Sequence, residues 1–134
     1  KAQESTVRNR PPESAEPAAS RWRAASVGIG GDVTRADIVV NATSIGMGVS
    51  IDDAMDADMA CDPALLRSGQ VVADLVYHPL ETAWMRAAAD VGATTVDGLG
   101  MLVHQAALQQ LRWLGEMPDT TAMRIAAEAE LARR

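Results

Sequence analysis

The sequence predicts an α/β fold with a doubly wound parallel sheet, and three observations lead to that prediction. Residues 37–42 and 71–76 are short runs rich in β-branched side chains without apolar–polar alternation, which is typical of parallel strands buried on both faces. Helical patterns lie between and after these runs. Glycines stand where the helices should end. Strands that alternate with helices favour parallel pairing, because a crossover must return the chain.

The remaining elements follow the same local signals. Strands are expected at residues 5–8, 24–29, 37–42, 71–76 and 94–96, and helices at residues 63–67, 81–91, 98–114 and 120–132. Gly92 and Gly115 occupy positions that favour a left-handed helix end. In the long helix the spacing predicts an apolar stripe formed by Met101, Leu108, Leu111 and Leu114. Residues 43–62, rich in Gly, Asp and Met, form the longest predicted loop.

Composition excludes several classes of function. The chain has 134 residues, a net charge of −6, one lysine (Lys1) and one cysteine (Cys61). A single cysteine excludes an internal disulfide and a thiolate zinc cage, so we expect no metal and a cytoplasmic address. Residues 26–100 carry three arginines against eleven acidic residues, which argues against nucleic-acid binding. Apolar runs fall well short of the ~18 residues of a membrane span, and no secretory signal opens the sequence, so no membrane partner is expected.

The glycines at 28, 30 and 31 suggest a dinucleotide phosphate loop, but their spacing contradicts it. Such a loop needs a strand before the glycines and a helix after them. Only residues 32–36 separate these glycines from the next strand, which is barely one helical turn. We therefore interpret them as a turn.

Three segments that follow predicted strands carry the candidate site, because ligands of open α/β sheets bind beyond the carboxyl ends of the strands. They read NATSIGM (41–47), DLVYHP (74–79) and DGLGMLVHQ (97–105). Tyr77 can donate a hydrogen bond, and Gln105 offers an amide donor and acceptor. The alternative to a binding site is that residues 41–47 form an ordinary turn, Tyr77 lies at the edge of the sheet and Gln105 is solvated.

A fourth candidate lies near the N-terminus. Arg8 and Arg10 end the first predicted strand, and no acidic residue follows before Glu13. In a dinucleotide-binding sheet an arginine at such a position accommodates the 2′-phosphate of NADP, whereas an acid would bind the 2′-hydroxyl of NAD. The alternative is two solvated arginines.

The order of these motifs resembles the shikimate dehydrogenase family in its C-terminal NADP-binding domain. The most specific match is DGLGMLVHQAALQQLRWLGEMPD at residues 97–119, after NATSIGMG (41–48) and DLVYHPLET (74–82). The resemblance covers residues 5–134, most strongly 37–119. It implies reversible reduction of 3-dehydroshikimate to shikimate with NADPH, in the shikimate pathway of aromatic amino acid biosynthesis.

The resemblance also implies roles for individual residues. Those expected to bind the cofactor are Asn9 and Arg10 at the 2′-phosphate, Ala42, Thr43 and Ser44 along it, and Leu75 and Gly98 at its nicotinamide end. Tyr77 and Gln105 are expected to contact the substrate.

The resemblance further implies that parts of the family's enzyme lie outside this sequence. These are the substrate domain with its catalytic lysine and aspartate, the first Rossmann strand and the glycine-rich loop, so no catalytic residue is assigned. Residues 1–117 are expected to form an incomplete Rossmann-like domain, and 118–134 a C-terminal helix that packs toward the substrate domain. The 134-residue chain alone is expected to be inactive and poorly folded, and the full-length enzyme a homodimer. The alternatives are a quinate dehydrogenase and a non-catalytic module that binds nucleotide or shikimate.

Overall fold

The first of two compact units holds a small parallel sheet. A computed structural model describes residues 6–7, 26–27 and 31–133, and the chain divides into Lys1–Ala36 and Asp37–Arg134. In the first unit, strand β1 (Thr6–Val7) pairs in parallel with β2 (Ser26–Val27). A single 3-10 turn, Gly31–Thr34, follows. Both strands lie where the sequence predicts them.

The second unit is a three-stranded parallel sheet with helices. Strands β3 (Ile38–Asn41), β4 (Val71–Asp74) and β5 (Thr94–Val96) are hydrogen bonded in that order. The helices are α1 (Ala83–Asp90), α2 (Gly98–Leu114) and α3 (Thr120–Leu131). The predicted loop contains the 3-10 turns Ile51–Asp53 and Asp56–Asp58, and the predicted helix at 63–67 is a 3-10 turn, Pro63–Leu65. The predicted parallel α/β architecture is confirmed.

Short polar side chains begin the three α-helices. The side chains of Thr82, Asp97 and Asp119 each accept a hydrogen bond from a backbone N–H in the first turn that follows. These bonds satisfy amide groups that have no partner within the helix. Gly92 and Gly115 adopt the left-handed conformation just after α1 and α2, with φ of 86° and 80°. The predicted helix ends are therefore confirmed.

Helix α1 covers one face of the sheet, and the prediction of burial on both faces is wrong for β3. Trp84 and Ala88 of α1 and Val72 of β4 are fully buried. By contrast Ile38 is 62% exposed and Val40 52% exposed. Successive side chains of a strand point to opposite faces of the sheet. Ile38 and Val40 lie on the face opposite to the one that Val72 shares with α1, so α1 does not cover them.

The apolar stripe predicted on the long helix is also wrong. Helix α2 buries Leu99, Val103 and Ala107, which recur every four residues. The predicted stripe faces solvent instead, with all of its members exposed: Met101, Leu108, Leu111 and Leu114. Gly98 lets the start of α2 pack closely on the backbone of Leu75 and Val76.

Helix α3 packs against α2. The proposed boundary at residue 117, and the packing of 118–134 toward a substrate domain, remain predictions. Within the described residues no helix is long and apolar enough to cross a bilayer. Among the same residues, no group of three or more His, Cys, Asp or Glu side chains is placed to hold a metal ion.

Candidate functional site

The candidate site lies at the carboxyl edge of the second sheet. Because β3, β4 and β5 are parallel, the segments that follow them begin at one edge. These are residues 42–48, residues 75–79 and the N-terminus of α2. They are three of the segments that the sequence analysis selects.

A buried pair of polar side chains joins the first two segments. Asn41 ends β3 and Asp74 ends β4, paired in register, and they are only 4% and 1% exposed. The Asn41 Nδ2 donates to Asp74 Oδ1 over 3.0 Å, and the Val76 amide donates to the same oxygen over 3.0 Å. The Leu75 amide also donates to the Asn41 carbonyl. These bonds fix the chain at the exit of both strands.

The side-chain oxygen of Asn41 shapes the loop that follows β3. Asn41 Oδ1 accepts from the Thr43 amide at 3.0 Å and from the Thr43 hydroxyl at 2.7 Å. The Thr43 hydroxyl in turn accepts from the Ile45 amide, and Asn41 Nδ2 also donates to the Ile45 carbonyl. Asn41 thus folds residues 43–45 back onto the strand end. Asn side chains favour such local hydrogen bonds to the backbone, which replace those of regular secondary structure.

Asp74 also connects the site to α1. The hydroxyl of Thr82, which is 2% exposed, donates to Asp74 Oδ2 over 2.8 Å and accepts from the Met85 amide over 3.2 Å. Asp74 therefore accepts bonds from Asn41, Val76 and Thr82. Burial of a carboxylate is costly unless donors surround it in this way.

The backbone of the third segment packs directly on the second. A Cβ atom added at Gly98 would lie 2.5 Å from the carbonyl oxygens of Leu75 and Val76. Real Cβ atoms essentially never come so close, so only glycine fits here. The Gly48 amide meanwhile donates to the His78 carbonyl over 2.7 Å. The structure thus brings Leu75 and Gly98 together and links loop 42–48 to segment 75–79.

An ion pair holds the N-terminus of α2. Asp97 Oδ2 accepts from Arg124 Nη2 of α3 at 2.9 Å, while Asp97 Oδ1 accepts from Arg124 Nη1 at 3.3 Å and from the Gly100 amide at 3.0 Å. Arg124 Nε donates to Glu128 over 2.8 Å. The bonds from Arg124 lower the pKa of Asp97, although its burial acts in the opposite direction. The same pairing raises the pKa of Arg124.

The remaining predicted residues differ in exposure. Ala42, Thr43 and Ser44 are exposed, Leu75 and Tyr77 are half-buried, and Gln105 is exposed on α2, seven residues after Gly98. Asn9 and Arg10 lie outside the described residues. His104 is exposed, and its Nδ1 lies 2.7 Å from the Gly100 carbonyl oxygen. The roles of these residues in binding remain predictions.

Sequence reasoning misses the residues that organise the site. It includes Asn41 and Asp74 only as the first residues of two selected segments and gives them no role. Polar residues that end two β-branched runs are a usable signal, because strand ends of a parallel sheet meet. Nothing in the sequence pairs Arg124 with Asp97, which lie 27 residues apart.

Comparison with known proteins finds similarity to shikimate dehydrogenases. Residues 98–128 match the family model described as the Shikimate 5'-dehydrogenase C-terminal domain. The shikimate dehydrogenase (NADP(+)) of Afipia carboxidovorans is 45% identical over 98 residues, 72% of this chain and 33% of that protein.

Solved structures agree with that match. Shikimate 5-dehydrogenase from Thermus thermophilus, in complex with NADP(H) and shikimate, superposes with a TM-score of 0.82 at 31% identity, covering 96% of this chain and 46% of that one. Quinate dehydrogenase from Corynebacterium glutamicum, in complex with NAD, gives 0.77 at 29% identity, covering 95% and 46%. The chain thus spans about a third of its curated relative and less than half of these solved chains. In its sequence and its α/β fold, this chain is similar to the C-terminal part of shikimate dehydrogenases.

Proposed function

We propose that the complete product of this gene is an NADP-dependent shikimate dehydrogenase, which reduces 3-dehydroshikimate reversibly to shikimate. In this proposal the present chain supplies the cofactor side of the active site and two substrate contacts. The observation that carries the proposal is the bonded carboxyl edge, at which the segments after β3, β4 and β5 converge, in a chain similar to an enzyme solved with NADP(H) and shikimate.

The described residues fit the nicotinamide side of such a cofactor. Residues 42–44 offer exposed backbone and hydroxyl groups beyond β3, Leu75 offers a half-buried apolar surface, and Gly98 brings the start of a helix to the same edge. Bound NADPH would supply the hydride. The alkoxide that forms needs a proton donor, for which the family uses a lysine and an aspartate that we assign to no residue of this chain.

The decisive experiment is an assay with two forms of the protein. The complete gene product should oxidise NADPH when 3-dehydroshikimate is added, and the isolated 134-residue chain should not. Robust turnover by the isolated chain would contradict the proposal that this chain supplies only the cofactor side of the active site and two substrate contacts. No turnover by the complete product would contradict the proposed function itself.

Substrate contacts are tested at Tyr77 and Gln105. Removal of the Tyr77 hydroxyl (Tyr77→Phe) or of the Gln105 amide (Gln105→Ala) should each raise the KM for shikimate about tenfold, since each removes a hydrogen-bonding group. Leu108→Ala on the exposed side of α2 is the matched control. An unchanged KM for both variants would remove these residues from the substrate site.

Cofactor choice is tested at Arg10. If Asn9 and Arg10 hold the 2′-phosphate, Arg10→Ala should weaken NADPH binding about tenfold or more and leave NADH binding almost unchanged. Fluorescence titration with both cofactors measures the difference. Equal losses for NADPH and NADH would contradict the assignment.

A quinate dehydrogenase is the second candidate, because the structure of such an enzyme also superposes on this chain. Comparison of kcat/KM for shikimate and quinate, each with NADP and NAD, separates the two activities.

We further propose a cytoplasmic protein that forms a homodimer. Size-exclusion chromatography with light scattering would test the homodimer. A binding module without catalysis would instead bind shikimate and give no turnover.

A further inference from the structure

We propose that Arg124 is a positioning residue for the proposed reaction, acting through Asp97 to hold the first turn of α2 against the end of β4. This inference rests on the proposed function, because the first turn matters for catalysis only if Gly98 and Gln105 lie beside cofactor and substrate. Arg124 itself touches no group assigned to the reaction.

The geometry gives Arg124 little freedom. Two of its nitrogens bind the two oxygens of Asp97, at 3.3 and 2.9 Å, and its Nε binds Glu128 at 2.8 Å. A planar guanidinium with three engaged nitrogens fixes the direction of both partners. The Asp97 carboxylate is thereby held in the place where it also accepts the Gly100 amide.

The residue next to Asp97 packs tightly on the segment that follows β4. Gly98 packs so closely on the carbonyl groups of Leu75 and Val76 that even a methyl group does not fit. A small rotation of the Asp97 side chain would release the Gly100 amide and tilt the first turn of α2. Gly98 and Gln105, both on α2, would then shift relative to the segment that contains Leu75 and Tyr77.

Hydride transfer is more sensitive to such a shift than binding is. The reacting atoms must approach within about 3–3.5 Å, and a displacement of about 1 Å can lower the rate a hundredfold. The phosphate end of the cofactor is expected at Asn9 and Arg10, in a different part of the sequence. Loss of Arg124 should therefore lower kcat and leave the KM for NADPH nearly unchanged.

The test compares three variants of the complete gene product. Arg124→Met keeps the aliphatic stem and removes all three bonds, while Arg124→Lys keeps one charge that can bind Asp97 at a single point. Arg133→Met is the matched control, because Arg133 lies just after α3 and forms an exposed ion pair with Glu130 at 3.6 Å. The measurements are kcat, the KM for each substrate, and the rate of hydrogen exchange of the Gly100 amide by NMR.

The proposal expects a specific pattern. Arg124→Met should lower kcat about tenfold, change the KM for NADPH less than twofold, and accelerate exchange at Gly100. Arg124→Lys should recover part of kcat, and Arg133→Met should match the wild type. An unchanged kcat in Arg124→Met, an equal loss in Arg133→Met, or no recovery in Arg124→Lys would each overturn the proposal.

The exchange measurement separates this proposal from the proposed function. If the wild-type product has no dehydrogenase activity, the proposed function fails and Arg124 has no role in that reaction. Faster exchange at Gly100 in Arg124→Met would then establish only that Arg124 holds the helix. In an active enzyme, unchanged exchange at Gly100 would overturn the positioning mechanism even if kcat falls.

Discussion

The carboxyl edge of the three-stranded sheet buries polar side chains, whereas the face of β3 that carries Ile38 and Val40, here called the open face, exposes apolar ones. At the edge, the polar side chains of Asn41, Asp74 and Thr82 are at most 4% exposed and bonded to one another. On the open face, the apolar side chains of Ile38 and Val40 are more than half exposed. Asn41 of the edge lies on the same strand, β3, as Ile38 and Val40, and is at most three residues from them.

The difference separates what the chain organises by itself from what it does not. Buried polar groups are tolerated only when their partners have good geometry, and at the edge all of these partners come from residues 41–85. Exposed apolar side chains lose the stabilisation that burial gives, about 25 cal/mol per Å². The site loops are therefore ordered by contacts within this chain, while Ile38 and Val40 on the open face stay more than half exposed.

The largest expected effect is at Asp74, in the centre of the polar network. Asp74→Ala would leave the Asn41 amide, the Val76 N–H and the Thr82 hydroxyl buried without their acceptor. At about 1–3 kcal/mol for each of these three groups, we expect a loss of about 3–9 kcal/mol in the free energy of unfolding. Urea unfolding of the complete gene product measures it.

Asp52→Ala is the control for Asp74, because Asp52 is an exposed carboxylate in the predicted loop of residues 43–62. Substitutions at such surface positions usually change stability by less than ~0.5 kcal/mol. If Asp74→Ala were as mild as Asp52→Ala, the buried network would not be what orders the edge.

A smaller effect is expected at Gly98, where the edge is held by backbone packing. Gly98→Ala places a methyl group 2.5 Å from the Leu75 and Val76 carbonyls, and such overpacking costs about 1–3 kcal/mol. Gly100→Ala is a matched control, since the nearest atom to its Cβ would be Arg124 Nη1 at 3.6 Å. In a helix, Gly to Ala is stabilising by up to ~1 kcal/mol. Equal thermal stability of the two variants would contradict the close approach.

The same two regions show what sequence reasoning can reach. The strands, the long helix and both glycine helix ends follow from local signals, and all are confirmed. Which face of an element is buried depends on what packs against it, which periodicity alone does not contain. The stripe of Met101 and Leu108 is therefore predicted on the wrong side of α2, and the expected burial of Ile38 is wrong.

The sequence predicts which segments lie at the site better than it predicts the contacts that hold them. Segments after parallel strands have to meet at one edge, so selection of residues 42–44, Leu75 and Gly98 needs only topology. The contacts that hold them depend on side-chain geometry across long separations, as between Arg124 and Asp97. Such pairs leave no pattern in a single sequence.

A still smaller change in the free energy of unfolding is expected at low pH, where Asp97 becomes protonated. Because the pKa of Asp97 is lowered in the folded protein, its ionised form contributes stability above the unfolded pKa of about 3.9. That contribution is lost as the pH falls through the folded pKa. Stability of the wild type should therefore decline more steeply between about pH 5 and 3 than that of Arg124→Met, as measured by urea unfolding at several pH values. In an Asp97→Asn background, Arg124→Met should leave the slope unchanged, and identical slopes in all four proteins would contradict the assignment.

The smallest effect is expected on the open face, at Val40. Val40→Thr keeps a β-branched side chain of similar size, and its hydroxyl can reach water because the residue is 52% exposed, so unfolding should change by less than ~0.5 kcal/mol. Val72→Thr on the α1 face is the matched variant: Val72 is fully buried, and an unpaired hydroxyl there costs about 1–3 kcal/mol. Both are measured by urea unfolding of the complete gene product. If Val40→Thr proves as costly there as Val72→Thr, the face is closed and the contrast with the polar edge fails.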